Sequence, residues 1–369
     1  MVELEPLRGI KVGAEQLGFT PRLRQGMAEV VEKLQHLLGE DINIYLFGGG
    51  LRNTIFKWLG HKIVGETDID ILVETTRPPY EIFPQLGKDE TFQPLVIVSE
   101  DAVRIHLEKV DSPIDIKFTY TVKSTPFDFS VNAVIAPLIP ILRGEKVDVY
   151  AYSIKDFEKR ILRHIAPFPA YPFHMLRGVR LASTLGLKIH HSTLSAYFKY
   201  AKQVNTVNIQ LLHRELSKAI SQAFEEAVRL LFVTSLAPHI FPPLLKIAKT
   251  DKDGYIRHSL LAYEIVRQFN PQKGDKEIKK MLGAKLVKQE LAPQRPLIYS
   301  YAVAAMLLPL DYQKALKVLI EKNFFPMERG LILQCLAAAK EPAAVRNLPL
   351  VYPFYRAVTL AQAKVQAFL

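Results

Sequence analysis

The chain has 369 residues, of which 49% are hydrophobic and 23% are charged. This length allows two to three domains with real cores, and the composition excludes bulk disorder. No apolar run reaches the ~18 residues of a membrane-spanning helix, and we expect no secretory signal at the start. The single cysteine, Cys335, excludes an internal disulfide framework and a multi-cysteine zinc site, and it favours the cytoplasm. The net charge of +11 favours a polyanionic partner such as nucleic acid.

The first 150 residues mix helical and strand patterns. Residues 22–39 carry apolar positions at helical spacing and end at Gly39, which predicts an amphipathic helix. INIYLFGG predicts a buried strand that runs into a glycine turn, and DIDILVE predicts a second strand with period-two alternation. Further strands are predicted for PLVIVSE, VRIHLEKV and PIDIKFTY, with a short helix or a loop at TTRPPYEIFPQLGKDETFQ.

After about residue 150 the patterns become helical. Helices are predicted in IKDFEKRILRHI, YPFHMLRGVRLASTLG, HSTLSAYFKYAKQV and IQLLHRELSKAISQAFEEAVRLLFVTS, and more follow to the C-terminus. The charges and the glycine of TDKDGYIRH predict a linker at residues 250–258. We therefore expect an α+β protein with a mixed-sheet head, residues 1–150, and an all-α body divided into residues 151–250 and 251–369.

Two aspartates in TDIDILVE carry the first chemical signal. Asp68 and Asp70 are two residues apart, and such positions on a strand share one face. Because neighbouring carboxylates repel each other, the pair predicts a bound cation, and Mg²⁺ prefers such hard oxygen ligands. A solvated strand edge or a plain cation site is the alternative interpretation.

A glycine-rich segment precedes these aspartates. In FGGGLRN, Gly48, Gly49 and Gly50 separate a predicted strand from a predicted helix, and Arg52 follows them. Such a turn lets backbone N–H groups approach phosphates, and Arg52 adds a positive charge. A strand, a glycine turn, a helix and a DxD strand in this order predict phosphoryl transfer, in which divalent ions activate a hydroxyl and stabilise departing pyrophosphate.

GGGLRN followed by GETDIDILVE resembles the signature of the class II tRNA nucleotidyltransferase (CCA-adding enzyme) and bacterial poly(A) polymerase family, which reads GGxxRD and then DxD. Three further segments resemble family motifs in the same order: TPFDFSVNAV, VDVYAYSIKDFEKRILRHI and YPFHMLRGVRLASTLGLKIHHSTL, with HRELSKAI as a weaker match. Together they cover about residues 40–220. The resemblance implies a polymerase β-like nucleotidyltransferase head followed by a helical region that binds nucleotide and RNA.

The resemblance assigns roles to individual residues of the head. It implies that Asp68 and Asp70 are the catalytic, metal-binding pair. Asp115 in PIDIKF is the candidate third carboxylate, or else a strand-edge aspartate with no catalytic part. In FDFSVNA, Asp128 and Asn132 match residues that contact ribose and phosphate, on one face of a predicted helix, with helix capping as the alternative.

Several positions depart from the family pattern. Asn53 stands where the family has an aspartate, and Pro126 and Phe127 stand where it has two arginines. The aspartate and arginine that read the incoming base are replaced by Tyr171 and His174. These two residues can stack on a base or simply pack within a helix. The resemblance therefore implies altered nucleotide specificity.

Basic residues dominate the segment that follows the head. Arg177 and Arg180 match the family's LRxxR run, whose arginines help to hold the nucleotide and the RNA. Between Lys155 and His190 there are seven Lys or Arg residues against two acidic ones. This surplus favours binding of an RNA 3′ end, and a solvated helix face is the alternative.

The last third of the chain resembles a second module. DGYIRHSLLAYEIV is similar to the first helix of an HD phosphohydrolase module, in which His258 would be a metal ligand. Leu308 and Pro309 occupy the positions of the His-Asp pair that such a module requires, and apolar side chains cannot ligate a metal. We therefore predict a degenerate module in which His258 is structural.

Together these features predict a template-independent RNA nucleotidyltransferase. It would use Mg²⁺ and an NTP, ATP or CTP first of all, to extend a tRNA-like or other RNA 3′ end. One alternative is an RNA-binding protein that has kept the fold and lost catalysis. Another is nucleotidyl transfer to a protein or a small molecule.

Overall fold

A computed structural model describes residues 3–40, 42–63, 69–106, 113–341 and 348–368. The chain divides into two compact units, Met1–Ala166 and Pro167–Leu369. The first unit contains a large mixed sheet and the second is mainly helical, so the predicted α+β class is confirmed. Within the described ranges, no helix has the length and apolar character needed to span a membrane.

The first unit alternates strands and short helices. Its strands are β1 (Glu5–Val12), β2 (Asn43–Phe47), β3 (Ile69–Glu74), β4 (Leu95–Ser99), β5 (Ala102–Ile105), β6 (Ile114–Thr119), β7 (Val134–Pro137), β8 (Val147–Ala151) and β9 (Ile161–Leu162). Its helices are α1 (Pro21–Leu38), α2 (Gly48–Trp58), α3 (Pro79–Leu86), α4 (Leu138–Leu142) and α5 (Ile154–Glu158), with single 3₁₀ turns at Glu90–Phe92 and Val122–Ser124.

The described part of the second unit is built from helices with three very short strands. The helices are α6 (Phe173–Leu185), α7 (His191–Tyr200), α8 (Ile209–Ala223), α9 (Glu225–Val233), α10 (Leu236–Ile240), α11 (Pro243–Thr250), α12 (Lys252–Gln268), α13 (Lys276–Leu282), α14 (Lys285–Lys288), α15 (Leu297–Leu307), α16 (Tyr312–Glu321), α17 (Pro326–Lys340) and α18 (Tyr352–Phe368). A 3₁₀ segment covers Ala201–Thr206, and the strands are β10 (Lys188–Ile189), β11 (Glu290–Ala292) and β12 (Arg295–Pro296).

The sheet of the first unit has eight strands in the order β1-β8-β7-β2-β3-β6-β5-β4. β3 and β6 run parallel, and the other neighbouring pairs run antiparallel. In this register Asp70 of β3 lies between Phe47 of β2 and Asp115 of β6. Because directly paired residues project from the same face, the two carboxylates share one side of the sheet.

The two faces of the sheet are covered differently. On one face Val73 is fully buried, and the ring of Phe83 in α3 packs 5.8 Å from that of Phe118. The opposite face, which bears Asp70, holds an apolar cluster that includes Leu72 and Phe127. The loop before β7 supplies Phe127, so this loop closes the Asp70 face over β2, β3 and β7.

Several local predictions hold in the head. The helix predicted at 22–39 is α1, which ends at Leu38, and Gly39 follows it with φ 109°. The predicted strands are confirmed as β2 to β6, although part of VRIHLEKV lies outside the described residues. The ambiguous segment before β4 is the helix α3 and a 3₁₀ turn. Strands β1, β7 and β8 were not predicted, because their patterns are short or irregular.

Two other predictions are wrong. IKDFEKRILRHI is not one helix, since α5 ends at Glu158 and β9 follows it. The linker predicted at 250–258 is a one-residue break, because α11 ends at Thr250 and α12 begins at Lys252. The carboxylate of Asp251 accepts a hydrogen bond of 2.7 Å from the Gly254 N–H and so caps α12. A charged, glycine-containing stretch here is a helix start.

The helical unit packs around α15, in which every residue is buried. Helix α12 contacts α9, α15 and α18, so the predicted boundary near residue 250 lies inside one packed body. His258 of α12 is buried, and its Nε2 lies 2.8 Å from the Met306 carbonyl oxygen. Burial lowers the pKa of His258 to about 4. This environment agrees with the structural role predicted for His258.

Candidate functional site

The carboxylate of Asp70 is held at the point where β2 turns into α2. Gly48 opens the helix with φ 71°, a left-handed conformation that glycine adopts without strain. A Cβ atom at Gly48 would lie 2.5 Å from Asp70 Oδ2, so only glycine leaves room for the carboxylate. The Gly49 N–H donates a hydrogen bond of 3.1 Å to the same oxygen. We call Gly48, Gly49 and Asp70 the Asp70 corner.

The three glycines differ from the predicted phosphate-binding turn in one respect. They form the first turn of α2 itself, and the Gly49 N–H already serves Asp70. The positive end of the helix therefore faces the Asp70 carboxylate. That Gly48 and Gly49 contact a triphosphate stays a prediction. Asp68, the other member of the predicted pair, lies outside the described residues.

Asp115 lies beside Asp70 but has an arginine partner. It pairs with Asp70 across β3 and β6, and with Arg104 across β6 and β5. Arg104 Nε donates to Asp115 Oδ1 at 2.6 Å, and Arg104 Nη2 donates to Asp115 Oδ2 at 2.7 Å. The position of Asp115 on the strand next to Asp70 is confirmed, its catalytic part stays a prediction, and a bidentate ion pair holds both of its oxygens.

Arg52 belongs to a buried polar network. Its Nη1 donates to Asn132 Oδ1 at 2.7 Å, and its Nε and Nη2 donate to Asn53 Oδ1 at 3.1 and 3.0 Å. Asn132 Nδ2 donates in turn to Asp128 Oδ1 at 2.9 Å. The network ties α2 to the loop before β7, so three predicted nucleotide-binding residues are brought together within the head.

The segment FDFSVNA is a turn, so the predicted helix is wrong. Its backbone pairs instead with the stretch after β9: the Ser130 N–H donates to the Arg163 carbonyl at 2.8 Å, and the Ile165 N–H donates to the Asp128 carbonyl at 2.9 Å. Asp128 and Asn132 still meet, because the turn brings their side chains into direct contact. Asp128 Oδ1 also accepts a hydrogen bond from the Phe129 N–H. Because the segment is a turn, Asp128 does not cap a helix here.

The departures at Pro126 and Phe127 have a local explanation. Pro126 is exposed, whereas Phe127 is buried in the apolar cluster on the Asp70 face, with Leu72 and Ile135. An arginine at position 127 would not reproduce this packing, since a buried guanidinium needs a partner. The loop is therefore fastened by apolar contact at this point.

In the second unit, the predicted base-reading positions form an aromatic cluster of Tyr171, Phe173 and His174. The Tyr171 and His174 rings stack at 5.1 Å with an interplanar angle of 20°, and the Phe173 and His174 rings meet edge to face at 4.4 Å. His174 is buried, and the Arg177 guanidinium lies 5.1 Å from the centre of the Phe173 ring. These contacts are compatible with the packing alternative, and base binding stays a prediction.

Arg180 anchors the same helix. Its Nε donates to Glu215 Oε2 of α8 at 2.7 Å, and Glu215 is almost fully buried. Burial alone would raise the pKa of Glu215, but Arg180 and Arg177 outweigh it and hold the pKa below its ordinary value. HRELSKAI, the weaker motif match, supplies Glu215, so this segment and the LRxxR run meet in one ion pair.

The described residues bear on the predicted magnesium ion. No group of three His, Cys, Asp or Glu side chains suited to a metal occurs in the described ranges, which omit Asp68. Asp70 offers hard carboxylate oxygens in a cradle that a Cβ at Gly48 would fill, so it fits Mg²⁺ in kind. Asp115 does not fit in its present state, because Arg104 engages both of its oxygens.

Arg104 is the residue that sequence reasoning missed. It belongs to no motif, and its neighbours in VRIHLEKV indicate only a strand. The signal lies in register, because Arg104 and Asp115 become partners only once β5 is paired with β6. Lys117 and Asp101 form a second ion pair of 3.2 Å close to the first. Charges at alternate positions of neighbouring strands are therefore the signal to look for.

Comparison of the sequence with protein-family models and with curated proteins gives no match. Solved structures do match. A CCA-adding enzyme in complex with ATP aligns with a TM-score of 0.64 and 16% identity, over 97% of this chain and 84% of that one. The chain has the fold of the CCA-adding enzymes.

Two other structures agree with this CCA-adding enzyme fold. The Thermotoga maritima CCA-adding enzyme complexed with tRNA aligns with a TM-score of 0.62 and 16% identity, over 99% of this chain and 87% of that one. A tRNA nucleotidyltransferase complexed with a primer tRNA and an incoming ATP analog gives 0.54 and 15%, over 92% and 98%. The divergent family resemblance drawn from the motifs is thus matched by the fold along nearly the whole chain.

Proposed function

We propose that this chain is a template-independent RNA nucleotidyltransferase that transfers nucleotides from an NTP to the 3′ end of a tRNA-like or other RNA. The structures with the same fold include complexes with ATP and with tRNA, which supports an NTP and an RNA as its partners. The observation that carries the proposal is the Asp70 corner. A carboxylate is fitted against a left-handed glycine and a helix N-terminus, with a second carboxylate in register on the next strand.

The chemistry assigned to the residues follows from this geometry. Asp70, together with Asp68, would hold Mg²⁺, which when bound makes the RNA 3′-hydroxyl a better nucleophile and stabilises the pyrophosphate that leaves. The N-terminus of α2 offers a positive end toward the triphosphate. Arg52 is oriented by Asn53 and Asn132, so its guanidinium is preorganised for a phosphate.

We further propose that nucleotide choice differs from that of a CCA-adding enzyme. An aspartate and an arginine can present charged acceptors and donors to the edge of a base. Tyr171 and His174 are instead stacked on each other, and His174 is buried. Such a cluster contacts a base through ring faces, which every base possesses, so discrimination between NTPs should be weak. Arg177 and Arg180 would then act by supporting this helix.

Two observations favour the second candidate, an RNA-binding protein without catalysis. Asp115 is engaged by Arg104, and the family's aspartate and arginines at positions 53, 126 and 127 are absent. If the reaction needs a third free carboxylate, these departures would abolish it. The basic composition would still serve RNA binding.

Incorporation of label separates the two candidates. The purified protein is incubated with Mg²⁺, bulk tRNA and each α-labelled NTP in turn, beside Asp70→Asn. We expect incorporation by the wild type and a loss of about 10³-fold in Asp70→Asn, since an amide keeps the shape but removes the charge that holds the cation. Asp148→Asn on β8 is the matched control, because Asp148 is exposed and pairs only loosely with Lys11, at 3.8 Å.

The outcomes are distinct. Full incorporation by Asp70→Asn would overturn the assignment of Asp70. No incorporation by the wild type with any NTP, combined with retained binding of tRNA, would favour the non-catalytic RNA-binding protein.

A further inference from the structure

The face of the sheet that bears Asp70 has two halves of opposite character. On the side of β2, β7 and β8 it is apolar and closed by the loop that carries Phe127. On the side of β6 and β5 it carries the ion pairs Arg104–Asp115 and Lys117–Asp101. A polar strip therefore begins directly beside Asp70 and leads toward the β4 edge.

Asp70, Asp115 and Arg104 form one row across three neighbouring strands. Neighbouring strands lie about 4.8 Å apart, so the row places Arg104 about 10 Å from Asp70. If the 3′-hydroxyl of an RNA reacts at Asp70 and the strand runs along this row, a phosphate behind the hydroxyl is within reach of Arg104.

The ion pair between Arg104 and Asp115 is bidentate and partly exposed to water. With side chains 40% and 28% exposed, its contribution to folding is modest, although the bidentate geometry makes it larger than that of an ordinary surface pair. What the pair does is fix the plane of a guanidinium. A guanidinium has five N–H donors, and its fork matches a phosphate as well as a carboxylate. Holding it in place lowers the entropy that binding would cost.

We propose that Arg104 binds a backbone phosphate of the RNA next to its 3′ end, and that Asp115 is a positioning residue that orients Arg104 instead of a third metal ligand. The inference rests on the proposed function and names how the RNA is held. It also gives the face that bears Asp70 a positively charged side chain, Arg104, although Pro126 and Phe127 replace the family's two arginines.

RNA affinity, measured by fluorescence anisotropy with labelled tRNA over a range of salt concentrations, tests the proposal without catalysis. Arg104→Gln should weaken binding about five-fold and reduce the salt slope by about one, the signature of one lost phosphate contact. Asp115→Asn should also weaken binding of tRNA. The double variant should bind tRNA no more weakly than Arg104→Gln alone. Arg104→Lys keeps the charge and should recover part of the affinity.

Steady-state assays give the second readout. Arg104→Gln and Asp115→Asn should raise the KM for RNA while kcat stays within about two-fold. The Mg²⁺ concentration for half-maximal activity should not change. Lys11→Gln, which removes an exposed positive charge on β1 at the opposite edge of the sheet, should alter neither affinity nor KM. Circular dichroism of each variant establishes that it is folded.

The opposite results would overturn the inference. If Arg104→Gln binds tRNA like the wild type with an unchanged salt slope, Arg104 does not hold a phosphate. If Asp115→Asn lowers kcat strongly and raises the Mg²⁺ requirement, Asp115 is a metal ligand. If the wild type incorporates no nucleotide, the proposed function fails, and the anisotropy measurements alone then decide the role of Arg104.

Discussion

The Asp70 corner and the aromatic cluster depart from the family motifs to different degrees. In the corner, glycines and a carboxylate meet as the motif requires, with the Gly49 N–H 3.1 Å from Asp70 Oδ2. In the cluster, the charged base-reading pair is replaced by rings that stack on one another. The resemblance assigns the retained residues of the corner to the phosphates and the replaced residues of the cluster to the base. We infer that selection among NTPs can change while the transfer chemistry is kept.

The largest effect is expected at the ion pair between Arg180 of α6 and Glu215. Glu215→Gln leaves Arg180 partly buried without its counter-charge, so the free energy of unfolding should fall by about 3 kcal/mol, as measured by urea denaturation. Glu226→Gln is the control, because Glu226 pairs with Arg229 on the surface, and it should cost less than about 1 kcal/mol.

The same pair predicts a pH dependence. The pKa of Glu215 is lower in the folded protein than its ordinary value of 4.5. Its contribution is therefore complete above pH 4.5 and is lost as the pH falls through the lowered folded pKa. The stability of Glu215→Gln should fall less steeply over this acid range. A parallel pH profile for the two proteins would contradict the assignment.

Gly48→Ala is expected to break the Asp70 corner. Its Cβ would meet Asp70 Oδ2 at 2.5 Å and would occupy a left-handed conformation, so the carboxylate must move. A displacement of about 1 Å can cost about 10²-fold in rate, which incorporation kinetics would measure. Gly60→Ala has the same backbone strain, with φ 80°, but no atom within 4 Å of its Cβ. Equal losses in both variants would show that strain alone is responsible.

A smaller effect is expected for Arg52→Lys. Lysine keeps the charge but cannot make the forked contacts to Asn53 and Asn132. The KM for NTP should rise about tenfold, which corresponds to ~1.4 kcal/mol of lost orientation. Arg143→Lys, outside the network, should leave the KM unchanged. A wild-type KM in Arg52→Lys would mean that the network serves only the fold.

The smallest effect concerns Tyr171. Replacing it by alanine removes one ring from the cluster, and stacking of this kind is worth about 0.5–1.5 kcal/mol. If the cluster contacts the base, the KM for every NTP should rise by about three-fold to tenfold with little change in preference. If Tyr171→Ala raises the KM for one NTP alone, the ring selects a base. The aromatic cluster would then keep a selective role, and it would differ less from the Asp70 corner.

Much of the fold follows from local patterns. The apolar period of α1 and the alternation of β6 identify these elements, because each buries a single face. The turn at FDFSVNA was mistaken for a helix because its hydrogen-bond partners lie more than 30 residues later, at Arg163 and Ile165. Long-range pairing of this kind leaves no trace in spacing.

The candidate site shows the same limit. The motif resemblance identifies Arg52, Asp128, Asn132 and Asp115. The structure joins the first three in one network and places Asp115 beside Asp70. The resemblance does not reveal Arg104, which acquires its meaning from the pairing of β5 with β6. It also does not reveal that the Gly49 N–H binds Asp70, since spacing along the chain carries no information on which donor faces which acceptor. The roles of these residues in binding and catalysis stay predictions.

Binding of Mn²⁺ tests the central claim most directly, because the ion substitutes for Mg²⁺ and can be counted by electron paramagnetic resonance. The titration uses the folded wild type, Asp70→Asn and Asp148→Asn, each with and without ATP. We predict that Asp70→Asn binds Mn²⁺ at least about tenfold more weakly than the other two proteins. Equal affinity in all three would contradict the account, since the carboxylate of Asp70 would then hold no cation.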